Sequence, residues 1–166
     1  MKTLKMLRDT LVRLQLLFSL TLLTIMTITI IYQVFSRQIL GTTPAWSEQL
    51  SKLLFVWVSF MGIAYGFKAK LHIGVGLFVG MLPEKIQDVF DYIAKILIIL
   101  FGLVLIYYGT EFTILMHESS MPGLGIPSSV LYAAIPVTGI FVLLFGIELM
   151  FKKGLHEKYD DISEEA

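Results

Sequence analysis

The chain has 166 residues, of which 56% are hydrophobic and only 16% charged, with 13 basic side chains balanced by 13 acidic ones. A soluble domain carries about 25% charged residues, so the composition argues against a compact water-facing enzyme and still more against a disordered segment. The zero formal charge gives no electrostatic pull toward nucleic acid, and the absence of cysteine excludes disulfides, thiolate metal sites and cysteine nucleophiles. The length suits one domain, residues 1–166, with room for four bilayer-crossing helices of about 20 residues each.

The first uncharged run is Leu14 to Ser36, behind a leader carrying Lys2, Lys5, Arg8 and Arg13. A signal peptide has an apolar core of only about 7–15 residues and ends in small residues. This run is longer and ends in Tyr32-Gln-Val-Phe-Ser-Arg37, so it reads as a retained span over 14–36. The second span is expected over 44–67. Thr43 suits the cap and Pro44 the first turn, which leaves Glu48 and Lys52 in the outer turns.

The third span is expected over 86–115, opening at Pro83. Ile86, Val89, Phe90 and Ile93 form one face of its first turns, and Asp91 and Lys95 stand in the favourable acid-first order. From Pro83 to His117 a helix would be about 52 Å long, against a hydrocarbon core of about 30 Å. It must therefore tilt, break or project. Met121-Pro-Gly-Leu-Gly-Ile-Pro127 marks a break, and the fourth span follows over 128–151, with a kink expected at Pro136. The polar tail 152–166 is expected to lie in the cytoplasm.

Lysine and arginine set the orientation. The leader, the middle connection with the start of span three (Lys68, Lys70, Lys85, Lys95) and the tail (Lys152, Lys153, Lys158) hold eleven on one side, against Arg37 and Lys52 on the other. Both termini are therefore expected in the cytoplasm. Residues 72–82 are apolar but too short to cross, which suggests an interfacial or re-entrant segment.

No cofactor is expected. Bis-histidine haem needs two imidazoles at one depth, and this topology puts His72 and His117 at opposite faces of the membrane. A proton-coupled carrier needs an ionisable group at mid-membrane, and no span has one. Glu111 and Glu148 lie near span ends. Thr21, Thr24 and Thr27 recur every three residues, a stripe that reads as helix packing before it reads as a path.

The second span is the most informative. Glu48, Lys52, Phe55, Ser59, Gly62 and Gly66 fall on one helix face, and Gly62-x-x-x-Gly66 admits a close backbone. That face either packs inside the chain's own bundle or docks to a larger membrane partner. Arg37 runs against the charge bias and takes Glu48 as its nearest acid. Trp46 belongs at the headgroup level.

Phe35-Ser-Arg37, Trp46-Ser-Glu48-Gln-Leu50, Leu54-Phe-Val-Trp57-Val-Ser-Phe-Met-Gly62, Lys70-Leu-His72-Ile73 and Met81-Leu-Pro83-Glu-Lys85 occur in this order. The series resembles the small, DctQ-like membrane subunit of TRAP (tripartite ATP-independent periplasmic) transporters, most strongly over residues 35–85. The resemblance implies a sodium-driven symport system in the bacterial inner membrane. In it a periplasmic substrate-binding protein captures an organic anion of the sialic acid or dicarboxylate class. A large membrane subunit of about a dozen helices carries the substrate and sodium sites, and the small subunit braces it within the lipid and helps dock the binding protein. It also implies interface or structural roles, not catalysis, for Arg37, Trp46, Glu48, Lys52, Trp57, Gly62 and His72, to which the face analysis adds Ser59 and Gly66. Two other classes compete: a stand-alone small transporter acting as a homo-oligomer, which would transport alone in proteoliposomes, and a redox membrane anchor, which would show a Soret band.

Overall fold

The computed structural model describes residues 2–68 and 83–150. Among them the chain is helical: α1 Lys2–Leu40, α2 Ala45–Lys68, α3 Glu84–Leu115, α4 Ser129–Tyr132 and α5 Ala134–Met150. Four helical stretches are long and apolar enough to span a membrane: Thr10–Leu40, Ala45–Phe67, Ile86–Leu115 and Ser129–Met150, the last formed by α4 and α5 together. The expected interfacial segment 72–82 and the tail 152–166 lie outside the described residues.

α1 overshoots the expected 14–36 at both ends, because nothing in the sequence stops a helix before Gly41. There φ of 68° ends it with the left-handed residue that glycine adopts without penalty. Ser36 Oγ donates to Thr42 O at 3.0 Å and fixes the turn. Thr43, the expected cap, is exposed. The bonds that close the first turn of α2 come instead from Ser47, whose Oγ and N–H donate to Pro44 O at 2.8 and 3.1 Å.

α3 does not break. Pro83, at φ −56° and ψ 143°, enters it, and its 32 residues run about 48 Å. Its opening turns are turned inside out relative to a soluble helix. Asp91 and Lys95 are only 7% and 8% exposed, whereas Ile86, Val89, Phe90 and Ile93 face outward. Outside water, an apolar face has no drive to turn inward.

The connection after α3 is a tight hairpin. Ser120 and Pro127 form an antiparallel bridge, Ser128 N–H donates to Ser119 O at 2.7 Å, and Met121 N–H donates to Ile126 O at 2.9 Å. The fourth span is interrupted at Ala133, upstream of Pro136. The proline ring clashes with the carbonyl four residues back and supplies no N–H to it, so the discontinuity falls at Tyr132 and Ala133.

The packing order across the array is α1, α2, α5, α3. α1 packs on α2, α2 also on the fourth span, and α3 on the fourth span, with Phe67 of α2 reaching Phe101 of α3 at 6.1 Å. Two antiparallel seams hold the array. In the first, Val12, Gln15, Ser19 and Leu22 begin an inward-turned stripe on α1 that continues at the same 3-4 spacing to Ser36. It meets Ser47, Leu50, Leu54, Trp57, Met61 and Ala64 on α2, whose spacing is the same. This is the repeat of a coiled coil, and Gln15 Nε2 donates across it to Met61 O at 3.0 Å.

The second seam joins α3 and α5 through glycines. A Cβ on Gly102 would lie 3.0 Å from Leu143 N, and one on Gly139 would lie 2.9 Å from Ile106 N. Gly109 sits as closely against Ile135 and Pro136, and Gly146 against Ile98 and Ile99. A small core of Ala64, Ile98, Val142 and Leu149, flanked by Phe67 and Phe141, ties α2 to this pair.

Candidate partner interface

The stripe on α2 singled out from sequence is not the one that packs inside the chain. The inward stripe runs through Leu54, Met61 and Ala64, all buried. The stripe Glu48, Lys52, Phe55, Ser59, Gly62 and Gly66 points away from it. Glu48, Lys52 and Gly62 are exposed, Phe55 is 60% exposed, and Ser59 and Gly66 are half-buried. Among the described residues, a Cβ built on Gly62 or Gly66 meets nothing within 4 Å. The face is therefore open, with charge at one end and no side chains at the other.

Arg37 and Glu48 do not pair. Both are exposed, and neither makes an ion pair or hydrogen bond among the described residues. The reason is geometric: α1 continues to Leu40, so Arg37 sits on its last turn, and Glu48 lies on the outward stripe of α2. Trp46 stacks on Tyr32, ring centroids 5.6 Å apart at 24°, and remains 40% exposed, which suits an aromatic pair at a membrane surface. A Cβ on Gly123, whose φ is 83°, would lie 2.8 Å from Trp46 N, so the hairpin after α3 rests on the start of α2. The rim built from Tyr32, Trp46 and this hairpin is one continuous surface.

Trp57 faces inward. It packs edge-on against Phe18 at 6.0 Å, and its Nε1–H donates to Val130 O at 2.9 Å. Val130 lies just ahead of the interruption at Ala133, where neighbouring donors must serve carbonyls that the helix ladder loses. His72 lies outside the described residues. Thr21, Thr24 and Thr27 are exposed, each donating to the carbonyl four residues back at 2.8 Å, so they do not pack within the chain. His117 Nδ1 lies 3.3 Å from Ser129 Oγ.

The glycine seam was not among the expected features, although its signal is in the sequence: Gly102 and Gly109 in one helix, Gly139 and Gly146 in the other, each pair seven residues apart. Nor was the polar α1 stripe, which puts Gln15, Thr29 and Ser36 in buried positions.

These features define a multi-pass membrane protein with one helix face left open. Residues 26–153 match the family described as tripartite ATP-independent periplasmic transporters, DctQ component. The chain belongs to this family of TRAP transporter small subunits. It is 26% identical over 148 residues to the sialic acid TRAP transporter small permease protein SiaQ of Vibrio cholerae, covering 89% of this chain and 86% of that protein. It is 30% identical over 132 residues to the sialic acid TRAP transporter permease protein SiaT of Haemophilus influenzae, covering 75% of this chain but only 21% of that protein. It is also similar to the C4-dicarboxylate TRAP transporter small permease protein DctQ of Rhodobacter capsulatus, 28% identical over 99 residues, covering 58% of this chain and 44% of that protein.

Proposed function

We propose that this subunit braces a large TRAP permease subunit through the open face of α2, taking no substrate itself. The observation that carries this reading is the vacancy around Gly62 and Gly66, where a second backbone fits and no described helix of the chain reaches. Small residues at an exposed helix face are the usual means by which membrane helices approach closely. The likeness to about a fifth of SiaT supports a permease in which such a unit works together with a much larger remainder.

In this reading Gly62, Gly66 and Ser59 take the partner helix, and Glu48 and Lys52 meet its polar outer end. Arg37 and Trp46, on the rim beside the hairpin after α3, help dock the periplasmic binding protein. Trp57 acts from within by holding α2 against the fourth span, and His72 continues the partner contact at the opposite end. Both termini are cytoplasmic, in accord with the lysine and arginine distribution. Residues 72–82 lie at the membrane surface. The system imports an organic anion of the sialic acid or dicarboxylate class with sodium.

The test is co-purification with the large subunit after Gly62→Leu. The added side chain enters open space in this chain, so the variant is expected to fold and insert as before and to lose the complex. Retention of the complex at wild-type yield contradicts the assignment of this face.

A further inference from the structure

A chain of contacts crosses all four spans and fixes which residues stand side by side. Phe18 of α1 packs on Trp57 of α2 at 6.0 Å, Trp57 bonds Val130 at 2.9 Å, and two residues on, Tyr132 packs on Phe112 of α3 at 4.7 Å. The apolar runs of the spans do not share this line. Taking as the loop end the one that carries connections 41–44 and 116–128, Phe18 lies seven residues short of the middle of the run Leu14–Ser36. Trp57 lies beside the middle of Ala45–Phe67. Val130 is near the loop end of Ser129–Met150. Phe112 lies nine residues past the middle of the uncharged run Ile96–Thr110 and just beyond Glu111.

The drift is in one direction along the packing order, and the glycine contacts from Gly102 to Gly146 leave no slack in the register of α3 against α5. Between α1 and α3 the apolar runs are offset by about 24 Å along the helix axes. Three interaxial steps of about 9 Å separate those helices. We propose that the bilayer crosses this array obliquely, the helices tilting by roughly 40° within the plane of the row, at the steep end of the range for membrane spans. The surface this chain offers to lipid is then a slanted belt. It rises toward the loop end from α3 to α1, and Tyr107 and Tyr108, 67% and 62% exposed, mark its outer edge on α3 as Tyr32 and Trp46 mark it on the α1–α2 hairpin.

The proposal concerns lipid contact alone and stands whether or not the α2 face binds a permease. The chain has no cysteine, so single spin labels report depth cleanly. Labels are placed at the outward-facing positions Leu17, Ile25, Leu103 and Leu115 of the full chain in lipid bilayers. Depth is read from the ratio of collisions with oxygen to collisions with a water-soluble nickel chelate, a ratio that holds even where a neighbour covers the label. Oblique crossing predicts Ile25 and Leu103 equally deep, near the bilayer centre, with Leu17 shallower at about 9 Å from it and Leu115 shallowest at about 14 Å, against the edge of a hydrocarbon core about 30 Å thick. Greater depth at Leu17 and Leu115 than at Ile25 and Leu103 overturns it.

Discussion

The indole N–H of Trp57 donates to the carbonyl oxygen of Val130 at 2.9 Å, and this bond joins the α1–α2 hairpin to the fourth span just where that span is interrupted. The same ring rests on Phe18, so one side chain bridges three segments. Trp57→Phe keeps the ring and removes the donor. We expect a loss of about 1 kcal/mol and faster amide exchange confined to residues near Val130 and Ala133. Unchanged exchange there would mean the bond does not hold the interrupted segment.

The glycines of α3 and α5 should behave oppositely to those of α2. Gly139→Ala puts a methyl 2.9 Å from the backbone of Ile106, and overpacking of this kind costs about 1–3 kcal/mol. Gly62→Ala meets open space. Unfolding of the purified chain in detergent should show Gly139→Ala destabilised and Gly62→Ala at or above wild type, since alanine favours a helix by up to about 1 kcal/mol over glycine. Equal losses at the two positions would place Gly62 in a packed seam.

The hairpin after α3 offers a second matched pair. Gly123 and Gly125 have φ of 83° and 67°, but only Gly123 has backbone within 2.8 Å of its would-be Cβ. Alanine at either position incurs about 1–2 kcal/mol of backbone strain. At Gly123 it also pushes the hairpin off Ala45 and Trp46. Limited proteolysis at the loop end should accelerate more for Gly123→Ala than for Gly125→Ala, and Trp46 emission should shift only for the former.

Thr138 is fully buried, and its hydroxyl has no partner among the described residues. An unpaired buried hydroxyl costs about 1–3 kcal/mol, so Thr138→Val, close in shape, should raise the unfolding midpoint. A fall would show that the hydroxyl is bonded in the membrane.

The spans were legible from sequence because apolar length and proline placement speak directly to bilayer crossing. Pro83 opened α3 and Pro127 preceded the fourth span as their chemistry requires. Which stripe of α2 packs inside was not legible. Leu54, Trp57 and Met61 on one side and Phe55, Ser59 and Gly62 on the other share the same spacing, and in lipid both are apolar or small. Burial contrast, the cue that separates such stripes in water, is absent here. The Arg37–Glu48 pairing failed for another reason: sequence distance across a turn says nothing of how far α1 continues before it ends. The kink expected at Pro136 fell at Ala133 because the clash acts on the preceding turn. The heptad-spaced glycines of α3 and α5 were readable only as a pair, once the two helices were known to be antiparallel neighbours.

This chain is proposed to support transport without performing it. The most direct measurement is uptake of labelled sialic acid and C4-dicarboxylate in cells under an inward sodium gradient, with the periplasmic binding protein present. The chain is supplied alone, the large subunit alone, then both, and finally both with Gly62→Leu. Uptake is expected only with both wild-type membrane subunits and is expected to be lost in the variant. Uptake by this chain alone, or full uptake by the large subunit without it, would rule out the bracing role.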